Sequence, residues 1–196
     1  ERGFSFIKKT TRKRVVFLLC IHYVTIRIMA IKKEKYINAL LYFISHCSNE
    51  KLGITKLNKL FYYLDFISYR DKKESVTGEM YVHLQMGPFA SQLQNKIIIE
   101  AEKQKLITQN KSESLKFGKR NRYQALVKPN ISVFSDYEKK LLDYICVTFR
   151  DWNTDQMIAQ THSEAPWVFS KANKSLDYNN ADDIEFFVEN KGLVLS

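Results

Sequence analysis

The residues of this chain best suited to catalysis are histidines and cysteines at scattered positions. A nucleophilic enzyme would need a histidine next to a thiol or hydroxyl, and the candidates are His46, His83, His162, Cys47 and Cys146. The chain contains no nucleophile elbow and no H-E-x-x-H zinc motif. A lone histidine serves more often as a structural hydrogen-bonding residue. We therefore predict no catalytic residue and no enzyme, with a hydrolase using His162 as the weaker alternative.

The glycines and cysteines argue against a cofactor or a metal site. The chain has only 6 glycines, and neither G-x-x-x-x-G-K nor G-x-G-x-x-G occurs, which excludes the phosphate-binding loops of those types. Its three cysteines, Cys20, Cys47 and Cys146, are an odd number without C-x-x-C spacing. This pattern is typical of a reducing compartment rather than of a structural zinc site. We predict no cofactor and no metal.

Two groups of basic residues are candidates for binding a partner. A predicted hairpin tip carries Lys116, Lys119, Arg120, Arg122 and Tyr123. Clustered cations beside an aromatic ring can bind phosphates or an acidic protein, although a solvated turn is the more common explanation of such charges. The second group is Lys56, Lys59 and Tyr63, which share one face of a predicted helix. These lysines either contact a partner or extend their stems over the core.

The composition is that of one folded domain with a basic start. The chain has 196 residues, 45% of them hydrophobic, with 31 Lys and Arg against 21 Asp and Glu, a net charge of +10. Residues 1–28 hold seven basic residues and one acid, which gives +6 of that charge. The apolar run 15–26 lacks a signal-peptide cleavage site, and about 12 residues are too few to cross a bilayer, which needs about 20.

Met29 opens a plausible start directly before the first helical pattern. We therefore expect residues 1–28 to be sequence from outside the native protein, with a native extension as the alternative. Residues 29–196 are expected to form a single domain, located in the cytoplasm and without a membrane segment.

The elements that must position these residues are mainly helices. Apolar spacing predicts helices over 34–48, 55–70, 89–105 and 153–162, with Thr55 capping the second. The capping box Ser135 to Glu138 starts another helix, and acids in the first turn favour a last one over 182–189. Strands are predicted at 80–84 and 106–108 and in a hairpin joining 115–117 to 123–127. Gly78 is expected to take a positive φ in a turn, and Gly87-Pro88 to end the first strand.

These elements indicate an α+β fold, mainly α: a compact helical domain with a small antiparallel sheet or hairpin. The helix over 55–70 is aromatic on nearly every side, which predicts a central position. Trp167 after Pro166 is expected to fill the core, with a binding hot spot as the alternative.

Four segments resemble the motifs of the Panacea domain, the SocA-like antitoxin family also known from phage-associated proteins. Residues 56–65, KLNKLFYYLD, resemble its K-L-x-K-L-L-Y-[YF]-x-[DQ] helix. Residues 77–81, TGEMY, are similar to T-G-x-x-Y, and residues 87–89, GPF, to G-P-[VF]. Residues 161–167, THSEAPW, are similar to T-H-x-x-x-P-W. Their order and spacing agree with the family over about residues 34–170.

The resemblance implies an antitoxin that binds a cognate toxin encoded by an adjacent gene and holds it inactive without chemistry of its own. The family also implies a second mode, delivery of the toxin to a Clp-type protease. The alternative from another class is a nucleic-acid or ribosome-associated protein, which the net charge and the basic hairpin favour. This alternative weakens if residues 1–28 are not native.

The predicted site residues fall into two groups. A partner surface is expected at Lys56, Lys59, Tyr63, Arg120 and Arg122, because stoichiometric inhibition needs aromatic and basic anchors on a rigid scaffold. The motif residues are expected to hold the domain together; they are Leu60, Asp65, Thr77, Gly78, Tyr81, Gly87, Pro88, His162, Pro166 and Trp167.

Overall fold

A computed structural model of the chain describes residues 30–47, 52–114 and 118–184, with the side chains of 111–114 and 118–121 excepted. The chain divides into two units, Glu1–Ala30 and Ile31–Ser196. The elements described below belong to the second unit. Within the described residues, no helix is long and apolar enough to cross a membrane.

The described part is mainly helical, as predicted, with two small antiparallel hairpins. The helices are α1 (Lys33–His46), α2 (Ile54–Lys72), α3 (Ile98–Lys103), α4 (Asp136–Phe149), α5 (Thr154–Ser163) and α6 (Ala165–Val168). A π-helical segment, Leu93–Ile97, leads into α3, and 3-10 turns lie at Ile131–Val133 and Tyr178–Asp183. The strands are β1 (Tyr81–Leu84), β2 (Gly87–Ala90), β3 (Ile107–Ser114) and β4 (Gly118–Ala125).

Helix α2 lies in the middle of this unit, as its all-round aromatic pattern predicts. Its apolar stripe, including Leu57, Leu60 and Leu64, is fully buried, and Tyr62 on another face is equally inaccessible. A helix that is buried on all sides must be surrounded by other elements, and α2 contacts α4, α5, β2 and the last 3-10 turn. The predicted cap at Thr55 is wrong, because the helix already begins at Ile54 after the extended Gly53 and has no side-chain cap.

Helices α1 and α4 pack around the central helix α2. Phe61 of α2 packs against Tyr36 and Phe43 of α1 with ring centroids 4.6 and 5.1 Å apart. The predicted capping box is confirmed, because the Ser135 hydroxyl accepts from the Glu138 amide while the Glu138 carboxylate accepts from the Ser135 amide. Both helices were therefore predictable from local sequence signals alone.

Gly87 and Pro88 were predicted only to end the first strand, but they begin the second strand of the first hairpin. Gly87 and Pro88 open β2, which pairs with β1 in the register Tyr81 to Ala90 and Leu84 to Gly87. Pro88 lacks an amide hydrogen and is tolerated because β2 lies at an edge, whereas the other edge of β1 bonds to residues 173–176. The predicted helix over 89–105 consequently starts later, after Ala90.

The second hairpin exists, but its predicted register is wrong. Strands β3 and β4 are long and pair Ile107 with Ala125 and Ser114 with Gly118. Arg120 and Arg122 therefore lie within β4 rather than at a turn, opposite Ser112 and Asn110. Alternation of polar residues specifies register weakly, because neither face demands burial.

The remaining predicted elements are resolved in part. Asn153 caps α5 through a capping box with Gln156, which confirms that helix. Pro166 and Trp167 do not simply interrupt the chain, since they form the short helix α6 with proline in its first turn. The predicted helix over 182–189 begins in a 3-10 turn that ends at Asp183, and residues from 185 onward lie outside the described residues.

Candidate functional site

The four motif segments, residues 56–65, 77–81, 87–89 and 161–167, meet around α2. We call this group the four-motif cluster. Direct hydrogen bonds join the α2 segment to each of the other three. Segments separated by up to about a hundred residues in the sequence are therefore held in one polar network, as described next.

Asp65 ties α2 to the loop before β1. Its carboxylate accepts from the Thr77 amide at 2.7 Å, the Thr77 hydroxyl at 2.5 Å and the Tyr81 hydroxyl at 2.8 Å. All three residues are buried. Gly78, which follows Thr77, has φ of 73°, so the predicted positive-φ turn is confirmed. The T-G-x-x-Y motif thus supplies the donors that the buried acid of the α2 motif requires.

Glu79, between these motif positions, joins the loop to the start of the next helical segment. Its carboxylate accepts from the Tyr36 hydroxyl at 2.7 Å and from the backbone amides of Met80, Gln92 and Leu93 at 2.8 to 3.2 Å. The first amides of a helix have no partner within the helix, and an acid there satisfies them. Glu79 is 1% exposed, so it acts as an internal clamp.

The polar residues at the start of α2 donate to backbone carbonyls and hold neighbouring segments. Lys56 Nζ donates to the carbonyls of Arg150 and Trp152 at 3.0 and 2.8 Å, just beyond the end of α4. Lys59 Nζ donates to the Pro88 carbonyl at 2.9 Å. Lysines near carbonyls at a helix end are favourable because those carbonyls have no intrahelical partner.

Asn58 completes the attachment of β2 to α2. Its side-chain oxygen accepts from the Ala90 amide at 2.7 Å, and its side-chain nitrogen donates to the Ile54 carbonyl at 2.8 Å. Together with the bond from Lys59 to Pro88, this fixes β2 at two successive points. The edge strand is therefore held by side chains of α2 as well as by its partner β1.

Gly87 is the closest approach between the hairpin and α2. Its φ is 92°, and a methyl carbon built on it would lie 2.5 Å from Lys59 Nζ and 2.9 Å from Thr161 Oγ1. Residues other than glycine rarely adopt this backbone conformation, and the two neighbours, Lys59 and Thr161, are both buried. The G-P motif therefore needs glycine for both conformation and space.

Replacing Gly87 with alanine is expected to lower the free energy of unfolding by about 1–3 kcal/mol, through φ strain and crowding of Lys59. Urea unfolding measures this loss. Gly53, whose φ is negative and whose added methyl carbon would meet nothing within 4 Å, is the matched control. A Gly87→Ala variant as stable as Gly53→Ala would contradict the close approach.

A third buried acid, Glu164, lies over the middle of α2. The Tyr63 hydroxyl donates to its carboxylate at 3.4 Å, and the Gln160 side-chain amide donates at 3.1 Å. Tyr63 also stacks on Phe149 of α4, with centroids 4.8 Å apart. The Tyr62 hydroxyl nearby is buried without a hydrogen-bond partner. The interior around Glu164 is therefore polar but incompletely satisfied, which is uncommon in a native core.

Two imidazole rings stack on Trp167 where α6 meets the first hairpin. The His162 ring lies 4.3 Å from it and the His83 ring 3.4 Å from it, both nearly parallel to the indole. His83 Nδ1 lies 2.7 Å from the Ser170 hydroxyl, while His162 Nε2 is buried without a partner. Trp167 is only half-buried. It is therefore part of a stack at the rim of the cluster rather than a plug of the core.

The electrostatics of the cluster follow from burial. Burial lowers the pKa of Lys59 to about 7 and raises the pKa of Asp65 to about 7, although the three hydrogen bonds to Asp65 oppose that rise. Burial, followed by the nearby charges of Lys59 and His83, also lowers the pKa of His162. Lys59 and Asp65, which are ordinarily charged at neutral pH, therefore have pKa values close to neutral in this cluster.

The arrangement does not assemble a recognisable reaction centre. Across the residues that the structure describes, no three His, Cys, Asp or Glu side chains are grouped so that they could hold a metal ion. Most hydrogen bonds of the cluster join side chains to carboxylates or to the backbone. His83 bonds to the Ser170 hydroxyl, and His162 makes a stacking contact with Trp167. These hydrogen bonds and stacking contacts hold the segments of the four-motif cluster rigidly together.

The residues predicted to form a partner surface are placed differently from expectation. Lys56, Lys59 and Tyr63 are 0%, 2% and 0% exposed, so they do not form an open face. Their helix is covered on every side, in agreement with the central position predicted from its aromatic pattern. Arg122 is half-buried on β4, and the side chain of Arg120 lies outside the described residues. Contact of these residues with a partner is untested.

The motif residues predicted to hold the domain together lie within or against the cluster. Those buried there are Leu60, Asp65, Thr77, Gly78, Tyr81, Gly87, Pro88 and Pro166, and those half-buried are His162 and Trp167. Asn58, Glu79 and His83 also belong to the cluster but were not predicted from the sequence. Asn58 and Glu79 occupy variable positions inside motifs, and the only available signal was a polar residue within an otherwise buried pattern.

A protein-family model, described as antitoxin SocA-like with a Panacea domain, matches residues 57–168. This range includes nearly all of the four-motif cluster. Searches of the curated proteins and of the solved structures found no match.

Proposed function

Because this chain belongs to the SocA-like antitoxin family with a Panacea domain, we propose that it neutralises a cognate toxin, encoded by an adjacent gene, by direct protein binding. The observation that carries the proposal is the family match over residues 57–168. Membership of an antitoxin-like family favours a non-enzymatic role. It implies a toxin partner in general terms, and a cytoplasmic location stays a prediction.

The rigidity of the four-motif cluster supports this proposal. An inhibitor that acts by occupying its target loses less conformational entropy on binding when its own surface is preorganised. Asp65, Glu79 and Lys59 each fix a loop or strand end to the central helix. The cluster thus provides a stable frame on which an outer surface can be presented.

Within this proposal, the buried residues first predicted to touch the partner act through the segments that they hold. Lys56 fixes the chain between α4 and α5, and Lys59 fixes β2. Arg120 and Arg122 on β4 are proposed to contact the partner directly, because arginine is enriched in binding hot spots. Alanine at both arginines should weaken neutralisation of the toxin.

Growth of a bacterial host tests the proposal. The adjacent open reading frame is expressed alone, with the full chain, and with residues 29–196. Toxicity that co-expression relieves is the expected result, and relief by residues 29–196 would show that residues 1–28 are dispensable. A harmless neighbour, or toxicity that the full chain does not relieve, contradicts the proposal and makes salt-dependent RNA binding the next measurement.

The same experiment separates two modes of neutralisation. Sequestration leaves the amount of toxin unchanged while growth recovers. Delivery to a Clp-type protease lowers the amount of toxin, and that decrease disappears in a host without the protease. Immunodetection of the tagged toxin therefore distinguishes them.

Exposed apolar residues just after the last motif are the proposed centre of the contact. Phe169 is 67% exposed and Val168 is 56% exposed, directly after the Trp167 stack. Large exposed apolar side chains beside aromatic rings are typical of binding surfaces.

We expect Phe169→Asp to abolish growth rescue while shifting the free energy of unfolding by no more than about 0.5 kcal/mol, as for other surface changes. Val147→Asp is the matched control, since Val147 is 71% exposed on α4, a different helix. Rescue that survives Phe169→Asp, or is lost equally with Val147→Asp, would argue against this contact.

A further inference from the structure

Two cysteine side chains meet where α1 ends against α4. Cys47 and Cys146 are separated by 99 residues in sequence, and their sulfur atoms lie 2.7 Å apart. Both are free thiols, and each residue is 3% exposed. A disulfide bond has a sulfur–sulfur length of about 2.05 Å. The two sulfurs are therefore already close to bonding distance.

Neighbouring contacts hold the two helices together at this point. Tyr42, one turn before Cys47, donates its hydroxyl to Asp143, one turn before Cys146. The His46 ring stacks on Tyr42 with centroids 4.1 Å apart. These contacts hold the backbones of the two helices close together beside the thiols. The proximity is thus built into the packing.

We propose that Cys47 and Cys146 form a reversible disulfide that cross-links α1 to α4 when the thiol pool becomes oxidising. With oxidised glutathione as the oxidant, one thiolate attacks it and releases one reduced glutathione. The second protein thiolate then attacks the mixed disulfide and releases another. Two protein thiols are oxidised, one glutathione disulfide is reduced to two thiols, and the two protons lost by the protein end on glutathione.

The surroundings of the pair favour a slow, reversible site rather than a reactive one. The hydrogen bond with Cys47, followed by burial, holds the pKa of Cys146 far above its ordinary value. Attack requires a thiolate, so exchange at this site is expected to be slow in the folded protein. At equilibrium, the glutathione ratio of the compartment decides whether the pair is two thiols or a cross-link.

The cross-link would act mainly on the unfolded chain. The loop that it closes runs from residue 47 to 146 and contains three of the four motif segments. Closing a loop of about 100 residues removes a large part of the unfolded chain's entropy. The fold that carries the motifs would become more resistant to unfolding in oxidising conditions.

Equilibration with glutathione tests the proposal. The full chain with Cys20→Ser retains only Cys47 and Cys146, so any internal disulfide is theirs. Reduced and oxidised samples are equilibrated in glutathione buffers of fixed ratio, in native buffer and in concentrated urea. After acid quenching and alkylation, intact mass gives the fraction cross-linked. Convergence from both starting states removes any influence of slow exchange.

The expected result is an equilibrium constant for disulfide formation about 1000-fold larger in the folded than in the unfolded chain, from the loop length. A ratio above about 10 supports the proposal, since strain removes part of the ideal gain. A ratio below that value overturns it, because the native packing would then not favour the bond. Cys20→Ser with Cys47→Ser, which forms only mixed disulfides with glutathione, calibrates the masses.

Discussion

Replacing Asp65 with alanine is expected to lower the free energy of unfolding by about 3–5 kcal/mol, because three buried donors lose their acceptor at once. The donors are the amide and hydroxyl of Thr77 and the hydroxyl of Tyr81, and all are shielded from water. An unsatisfied buried donor costs about 1–3 kcal/mol. Part of the sum is recovered because the variant no longer buries a carboxyl group. Urea unfolding at neutral pH measures the difference.

Asp182 provides the matched control. It is an exposed aspartate that forms an ion pair with exposed Lys73 at 2.7 Å. Such pairs contribute less than about 1 kcal/mol, so Asp182→Ala should be nearly neutral. If Asp65→Ala cost no more than Asp182→Ala, the loop before β1 would not depend on Asp65, and the central role given to this network would be wrong.

The elements with strong local signals were predictable from the sequence. Helix α1, helix α2 and helix α4 were located within two or three residues, because apolar spacing and the Ser135 capping box are encoded in neighbouring positions. The family was also identified from four short segments and is confirmed by the match over residues 57–168. Local periodicity and ordered motifs carry this information directly.

Register and burial were not predictable in the same way. The hairpin of β3 and β4 was predicted with the wrong turn, because its polar residues do not require either face to be buried. Strand β2 was missed because Gly87-Pro88 is a stop signal locally. It is a strand only because Asn58 and Lys59 hold it against α2. Such long-range bonds leave no trace in sequence spacing.

The burial of Lys56 and Lys59 in α2 also depends on tertiary contacts. A lysine on a helix is normally expected at the surface, and the sequence analysis placed Lys56 and Lys59 there. In the structure each reaches a backbone carbonyl that only the tertiary fold brings near. Burying an ammonium group costs stability unless it is paired, and Lys59 has no acidic partner within the described residues. That cost is measurable as a pH dependence.

Stability should therefore rise with pH through Lys59, and Lys59→Met should remove this rise. Burial lowers the pKa of Lys59 to about 7 in the folded protein, against 10.5 for a solvent-exposed lysine, the value that applies to the unfolded chain. Between these values the unfolded chain binds one more proton than the folded protein. The free energy of unfolding then increases by about 1.4 kcal/mol per pH unit, and stability is lost as pH falls towards 7.

The free energy of unfolding is measured with urea at about pH 7.5 and about pH 9.5, for the wild type and for Lys59→Met. Between these two pH values we expect it to rise by about 2–3 kcal/mol more in the wild type than in the variant. Burial raises the pKa of Asp65 only to about 7, which is below this range, and burial lowers the pKa of His162, so neither group accounts for the expected slope. Lys72→Met, which changes an exposed lysine of the same helix, is the control and should leave the slope unchanged. Equal slopes in the wild type and Lys59→Met would mean that Lys59 remains charged when folded. Growth rescue by a stable Lys59→Met variant would assign this lysine a structural role, whereas lost rescue would show that the buried ammonium group is needed for neutralisation.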